Sequence, residues 1–316
     1  MQGDICPMSL RLCNKFIQID QQDFAKIQKT LEKHYYDFDL EYLKTVHGRE
    51  DLINHLHRRL DNFRQQLIPW LNTYKPLDKA RILEIGCGTG SSTVALAEQG
   101  GNVHAVDIEE KSLIVAKERC AVYNVDASFY QANATEIKSL FSNQRFDVII
   151  FFAALEHMTL DERLASMGDA WSLLDDGALF CVVDTPNRLW FYDYHTSLLP
   201  FYQWLPDELA FKYARFSTRE NFREIYLDRT EERFLHFLRR GRGISYHEFE
   251  LALMPVDKLE VLSSMPIYFR KNSLFSKLCY WFSADSRYKS ILAEFGPQNL
   301  HPGFLEPSLD LIIKKK

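Results

Sequence analysis

Apolar residues along the chain follow two rhythms. Between residues 20 and 74, Leu52, Leu56, Leu60, Phe63, Leu67 and Leu71 recur at steps of three and four, the spacing that lines one face of a helix. Arg58, Arg59, Asp61 and Arg64 fall largely off that face. This stretch predicts helices packed on a main domain, ended by Pro76 in the polar segment KPLDKA. From Arg81 the rhythm becomes strand, turn, helix. RILEI, NVHAVD, ASFYQAN, FDVIIFF and GALFCVVD predict five strands. SSTVALAEQGG, EEKSLIVAKERCAVY and DERLASMGDAWSLL predict helices among them, the first stopped by Gly100 and Gly101. Later, SYHEFELAL predicts a helix, and KLEVLSS and the final SLDLIIKKK predict strands.

Strands alternating with helices imply an α/β fold with a parallel sheet covered on both faces. Ligands of such sheets sit at the carboxyl ends of the strands, near the topological switch point. Two irregular stretches interrupt the pattern. Residues 185–244 carry Trp190, Tyr192, Tyr194, Phe201, Tyr202 and Trp204, and residues 266–306 carry Trp281, Pro297 and Pro302. Excursions of this length beyond strand ends often cover a site. The expected organisation is a helical extension or lid over residues 1–75 and an α/β domain over 76–316. Its insertions at 185–244 and 266–306 are expected to cover the acceptor side.

Composition narrows the function. The formal net charge of -5 disfavours a nucleic-acid partner, although FLRRGRG at 237–243 is locally basic. The six cysteines, Cys6, Cys13, Cys87, Cys120, Cys181 and Cys279, form no CxxC pair or zinc-like spacing. Free thiols in a reducing cytoplasm are expected. The opening MQGDICPMSLRLCNK lacks the features of a signal peptide. No run of about 18 apolar residues predicts an integral membrane segment. No internal repeat is evident, and the sequence assigns no oligomeric state.

The chemistry concentrates in RILEIGCGTGSST, residues 81–93. Gly86, Gly88 and Gly90 follow the first strand, with Glu84 near its end. A GxGxxG dinucleotide fingerprint would need glycine at 91, where Ser91 stands. A pyrophosphate gains nothing from a nearby carboxylate, whereas a cationic ligand does. LEIGCGTG resembles motif I of the class I S-adenosylmethionine-dependent methyltransferases. VHAVDIE, QANATEI, FDVIIFFAALEHM and LLDDGALFCVVDTPN resemble that family's later motifs in order and spacing. The resemblance covers residues 80–185 strongly, and 245–265 and 307–316 weakly.

The resemblance implies a Rossmann-like, doubly wound seven-stranded sheet with an antiparallel last strand. It implies that S-adenosylmethionine is the cofactor. Gly86, Cys87, Gly88 and Gly90 would pack backbone against its methionine and ribose part, and Glu84 would act near its amino group. Asp107 would accept both ribose hydroxyls, and Ile108 would flank the adenine. Asn133 and Ala134 would meet the adenine edge; many members have aspartate where Asn133 stands, but an amide oxygen also accepts. Phe152 and Ala153 would lie beside the cofactor. The Cys87 thiol reads as filler rather than a nucleophile, and Asp126 and Asp147 as solvated or structural acids.

Methyl transfer is an in-line displacement in which the protein holds donor and acceptor in line and excludes water. An oxygen acceptor also benefits from a base. His157, in LEHM, and His195, between strand five and the next helix, are the candidate catalytic residues. Asp193 and Tyr194 are weaker ones. His195 could equally be hydrogen-bonded inside an aromatic cover, and the surrounding aromatics could line an acceptor pocket or form the insertion's own core. Some ubiquinone-biosynthesis O-methyltransferases resemble LEHM and bind a divalent metal, but Ala153 replaces a glutamate ligand, so no metal is expected. The expected acceptor is a small molecule, methylated on a hydroxyl oxygen. The alternatives are N- or C-methylation of a small molecule or glycan, and a cofactor-binding but inactive partner subunit.

Overall fold

A computed structural model describes residues 15–271 and 284–316. Cys6, Cys13, Cys279 and Trp281 lie outside the described residues, as does part of the 266–306 stretch. The strands are β1 (Arg81–Ile85), β2 (Asn102–Asp107), β3 (Ala127–Gln131), β4 (Phe146–Phe152), β5 (Leu174–Pro186), β6 (Glu260–Ser264) and β7 (Ser308–Lys314). They form one sheet in the order β3-β2-β1-β4-β5-β7-β6. β1 pairs parallel with β2, and β2 with β3. β7 runs antiparallel to β6, with an irregularity between Val261 and Ser263. The switch point lies between β1 and β4, where the order reverses direction. Val148, Ile149, Ile150 and Phe151 of β4 and Phe180, Cys181 and Val182 of β5 are fully buried, which is why these strands read as unbroken apolar runs rather than alternating ones.

Compactness divides the chain into residues up to 150 with 173–179, and residues 151–172 with 180–316. The change from helices to β/α alternation at residue 76 lies inside the first of these. There, helices Gln21–Thr30, Val46–Ile53, Arg59–Asn62 and Ile68–Tyr74 precede the sheet. Ile27, Leu60, Leu67, Trp70 and Leu71 are buried. The apolar face from Leu52 to Leu71 repeats at about 3.8 residues, slower than an ideal helix at 3.6. The backbone absorbs the difference in wide turns at Asn54–Arg58 and Phe63–Leu67, where Arg59 N donates to Asn54 O and Ile68 N to Phe63 O. Arg64, off that apolar face, is nevertheless largely buried: its side chain pairs with Glu98 and donates to Ile17 O at 3.0 Å.

In the second unit, residues 185–244 build helices Asp207–Tyr213, Glu220–Ile225 and Glu231–Leu238. They enclose a core of their own that contains Tyr202, Phe211, Phe222, Tyr226 and Phe237. The aromatics singled out in the sequence therefore divide. Trp190 and Tyr202 are buried, while Tyr194, Phe201 and Trp204 are exposed. Helix Tyr246–Ala252 contacts helix Leu160–Ser172, and Arg163 pairs with Glu248 at 3.2 Å between them.

Candidate cofactor site and acceptor-side residues

The first unit holds the glycine turn. Gly86, Gly88 and Gly90 all have positive φ, at 84°, 49° and 81°, a region costly for residues with a Cβ. Gly86 N and Cys87 N donate to Val106 O at 2.9 and 3.2 Å, and Gly90 N donates to Cys87 O at 3.0 Å. Gly88 and Gly90 serve different ends. A Cβ on Gly90 would stand 2.7 Å from Ala116 Cα, so this glycine lets helix Glu110–Val122 approach the turn. A Cβ on Gly88 would meet nothing within 4 Å. Open space beside a left-handed glycine is what close approach of a ligand to backbone requires.

The carboxylates around the turn are already engaged. Glu84 is fully buried and accepts from Ser92 Oγ and, at 2.7 Å, from Thr93 Oγ1, both in the first turn of helix Ser91–Ala97. Burial pushes its pKa up to about 7 against the pull of those hydroxyls. Asp107 accepts from Gly88 N at 2.7 Å through Oδ2 and from Glu109 N at 2.9 Å through Oδ1. Burial raises its pKa, and the amide donors oppose this. Each oxygen keeps a second lone pair, so the oriented carboxylate fits a pair of ribose hydroxyls. Ile108 is 59% exposed at the end of β2. Asn133 caps the turn Ala134–Glu136: its Oδ1 accepts from Thr135 N and Thr135 Oγ1, each at 3.0 Å, and Ala134 is buried. Cys87 is buried, and burial pushes its thiol well above the usual range. Asp147 binds Arg81 and Lys75 as a structural acid.

The second unit holds the ends of β4 and β5. Phe152 is buried, and Ala153 follows with φ 41°, its amide donating to Val183 O at 3.0 Å. Asp184 is also left-handed, with φ 58°. Such strain in non-glycine residues clusters at functional sites. His157 Nδ1 lies 2.9 Å from Arg239 O. A carbonyl only accepts, so Nδ1 carries the proton and the neutral ring leaves a lone pair on Nε2. His195 Nδ1 lies 3.0 Å from Thr196 Oγ1, which donates its single proton to Gly241 O at 3.0 Å. His195 is therefore the same tautomer. The two rings stand 6.3 Å apart. Both residues are exposed at the surface, yet the protein packed against the rings lowers the pKa of each below the ordinary 6.5; Asp193 partly offsets this for His195.

Asp193 is a turn-builder. Its carboxylate accepts from the amides of His195, Thr196 and Ser197 and from Ser197 Oγ. Sequence reasoning missed three residues. Glu156 is fully buried with its pKa pushed up to about 8 by burial; Oε2 accepts from Thr185 Oγ1 at 3.3 Å, while Oε1 has no hydrogen-bond partner. Its place beside His157 was the available signal. The other two are Tyr35 and His55, whose rings stand 4.5 Å apart. His55 lies three residues after Leu52 on the apolar face, where a polar side chain needs a partner. Among the described residues no group of three or more His, Cys, Asp or Glu is arranged to hold a metal. Cys87, Cys120 and Cys181 are buried free thiols. No described helix is long and apolar enough to cross a membrane.

This sheet order, with a glycine turn after β1 and an oriented carboxylate ending β2, defines a Rossmann-like methyltransferase architecture. Residues 82–177 match the family described as "Methyltransferase domain". A cypemycin N-terminal methyltransferase from a Streptomyces species is 34% identical over 120 residues, covering 36% of this chain and 46% of that protein. A ubiquinone biosynthesis O-methyltransferase from Rickettsia akari is 29% identical over 140 residues, covering 44% and 51%. The chain spans about half the length of these curated relatives. Magnesium protoporphyrin IX methyltransferase from Synechocystis PCC 6803, solved with bound SAH, aligns at a TM-score of 0.38 and 20% identity, covering 53% of this chain and 74% of that one.

Proposed function

We propose that the protein transfers a methyl group from S-adenosylmethionine to a hydroxyl oxygen of a small-molecule acceptor, with His157 and His195 supplying the base. The observation that carries this reading is the shared tautomer of the two imidazoles, each with an Nε2 lone pair. Gly86, Cys87, Gly88 and Gly90 would hold the cofactor's methionine and ribose part through backbone. Asp107 would take the ribose hydroxyls, and Ile108, Asn133 and Ala134 the adenine. Glu84, with both oxygens occupied, would act on the ligand through the turn it fastens. The cofactor supplies an electron-poor methyl group on a sulfonium.

The chain's own residues then have three tasks: to align the acceptor, to exclude water and to remove a proton. The acceptor hydroxyl would pass its proton to Nε2 of one imidazole. Depressed pKa values keep both rings neutral and able to accept at neutral pH. Residues 185–244, with an internal core, would serve as the acceptor-side cover. A second reading is an amine acceptor, favoured by the name of the Streptomyces relative; an amine that arrives neutral needs no base. An inactive cofactor-binding subunit is a third, and the intact turn and Asp107 weigh against it.

The test is calorimetric titration with S-adenosylhomocysteine, followed by transfer of labelled methyl to a metabolite extract in excess chelator. Binding and one labelled product are expected. Binding with no product from any extract supports the inactive subunit, and absence of binding overturns the reading.

A further inference from the structure

The helices before the sheet are fastened to the glycine turn through two buried polar side chains. His55 is 3% exposed, and its Nδ1 lies 3.1 Å from Thr89 Oγ1, inside GCGTG. Asp51 Oδ1 faces Nε2 at 3.7 Å, which favours a proton there. Nδ1 then accepts from the Thr89 hydroxyl. Burial first, then the charges of Arg59 and Arg119, hold the imidazole pKa down at about 3, so the ring is neutral across the working range.

Arg119 makes the second link. It is fully buried, and its guanidinium donates to Thr89 O at 2.8 Å, Leu56 O at 2.9 Å and His55 O at 2.5 Å. The wide turn sends Arg59 N to Asn54 O rather than to His55 O. Both the side chain and the main chain of Thr89 are thus held from the helical segment and from helix Glu110–Val122. Tyr35 packs on the His55 ring at 4.5 Å and lies within reach of the charges of Asp107 and Glu109. Asp37, two residues after Tyr35, pairs with Lys111 and pins the same segment to helix Glu110–Val122.

We propose that the N-terminal helices are a working wall of the cofactor site, in which His55 is a positioning residue that sets the shape of the glycine turn through Thr89 and thereby the affinity for the adenosyl ligand. This rests on the methyltransferase reading for the ligand, but the fixing of the turn does not. His55 touches no reacting atom. It removes the freedom of Thr89, so that the ligand meets an ordered backbone.

The experiment is a double-mutant cycle on S-adenosylhomocysteine affinity, using His55→Ala, Thr89→Val and the pair, with His55→Asn as the conservative variant. Asn can place an acceptor near the position of Nδ1. Each single variant should weaken binding about five- to ten-fold. The pair should be no weaker than the worse single, and His55→Asn should recover most of the loss. Amide exchange of residues 86–90, measured without ligand, should speed up in His55→Ala and return in His55→Asn. If His55→Ala fails to fold, His55→Asn and Thr89→Val carry the same comparison. Additive losses, or folded variants with unchanged affinity and unchanged exchange, overturn the proposal. If the wild type binds no S-adenosylhomocysteine, the methyltransferase reading fails, and the exchange measurement alone decides whether His55 fixes the turn.

Discussion

The glycine turn and the segment 185–244 solve different problems. The turn itself is built from main chain: positive-φ glycines, amides that donate to Val106 O, and the Glu84 carboxylate, both of whose oxygens are taken by neighbouring hydroxyls. Within residues 86–90 little is left for side chains to do but hold the backbone still, and the one carboxylate with lone pairs to spare, Asp107, stands outside the turn at the end of β2. In segment 185–244 the main chain is a scaffold with its own aromatic core, and the proposed chemistry rests on single side chains: His195 in this segment, and His157, whose ring stands 6.3 Å away. A motif written in backbone conformation should be sensitive to added Cβ atoms and indifferent to side-chain chemistry. A pair of imidazoles should show the reverse.

The largest effect is expected at that pair. His157→Gln and His195→Gln should each lower turnover on an oxygen acceptor by about 10²-fold, the usual worth of a general base. The double variant should fall little further than the worse single. S-adenosylhomocysteine affinity should not change. Since both pKa values are lowered, wild-type turnover should hold from alkaline pH down past 6.5 and fall only as the rings protonate. Single-turnover transfer against pH checks this. Near-wild-type rates in both variants would assign the histidines to the scaffold and favour the amine reading.

Next comes a contrast between two glycines. Gly90→Ala combines a forbidden φ with a Cβ driven against Ala116, and should cost about 2–4 kcal/mol of stability. Gly88→Ala has the strained φ but open space, and should cost about 1–2 kcal/mol. Ligand affinity should nevertheless drop at least as much in Gly88→Ala, because its Cβ occupies space that the ligand needs. Urea denaturation and calorimetry on both variants decide it. Equal losses in both properties would mean that the two glycines do one job.

This contrast also explains what could be read in advance. The sheet and the glycine turn were legible because they rest on local rules: buried runs, alternation with helices, and glycine where φ is positive; strand ends were less so, since β5 starts three residues before GALFCVVD and runs two beyond it. FDVIIFF coincides with β4 to the residue. Arg64 and His55 were not legible, because wide turns rotate the helix face and a partner 34 residues away decides each side chain's fate. Glu156 escaped for a related reason. Nothing in LEHM tells a buried, half-satisfied acid from a solvated one. The aromatics of 185–244 gave an inventory only, and packing sorted them into core and surface.

Glu156 should show itself in stability rather than rate. Its folded pKa, about 8, lies above the ordinary 4.5, so the folded state binds the proton more tightly than the unfolded one. Stability must then fall as pH rises from about 4.5 to about 8. Glu84, at about 7, adds to the trend, and Asp310 is raised too. Glu156→Gln removes one contribution. Its melting temperature should gain on the wild type by several degrees between pH 5 and pH 8.5, whichever protein is more stable at pH 5. A pH-independent difference in scanning calorimetry would mean that Glu156 is not protonated in the fold.

The smallest effect is expected at Cys87, and it sharpens the comparison most directly. The residue sits between two of the motif's glycines, yet it is only 4% exposed and its thiol pKa is pushed well up by burial. Its polar contribution comes from the amide that donates to Val106 O, which any residue but proline supplies. Cys87→Ala keeps that bond and removes only the sulfur. It should change S-adenosylhomocysteine affinity by no more than about two-fold. The wild-type thiol should react with iodoacetamide at neutral pH far more slowly than a free cysteine, since the thiolate is the nucleophile. A ten-fold loss of affinity in Cys87→Ala, with folding intact, would mean that a side chain takes part in recognition at the turn, and that the division between a backbone-built region and a side-chain-built one fails where it should hold best.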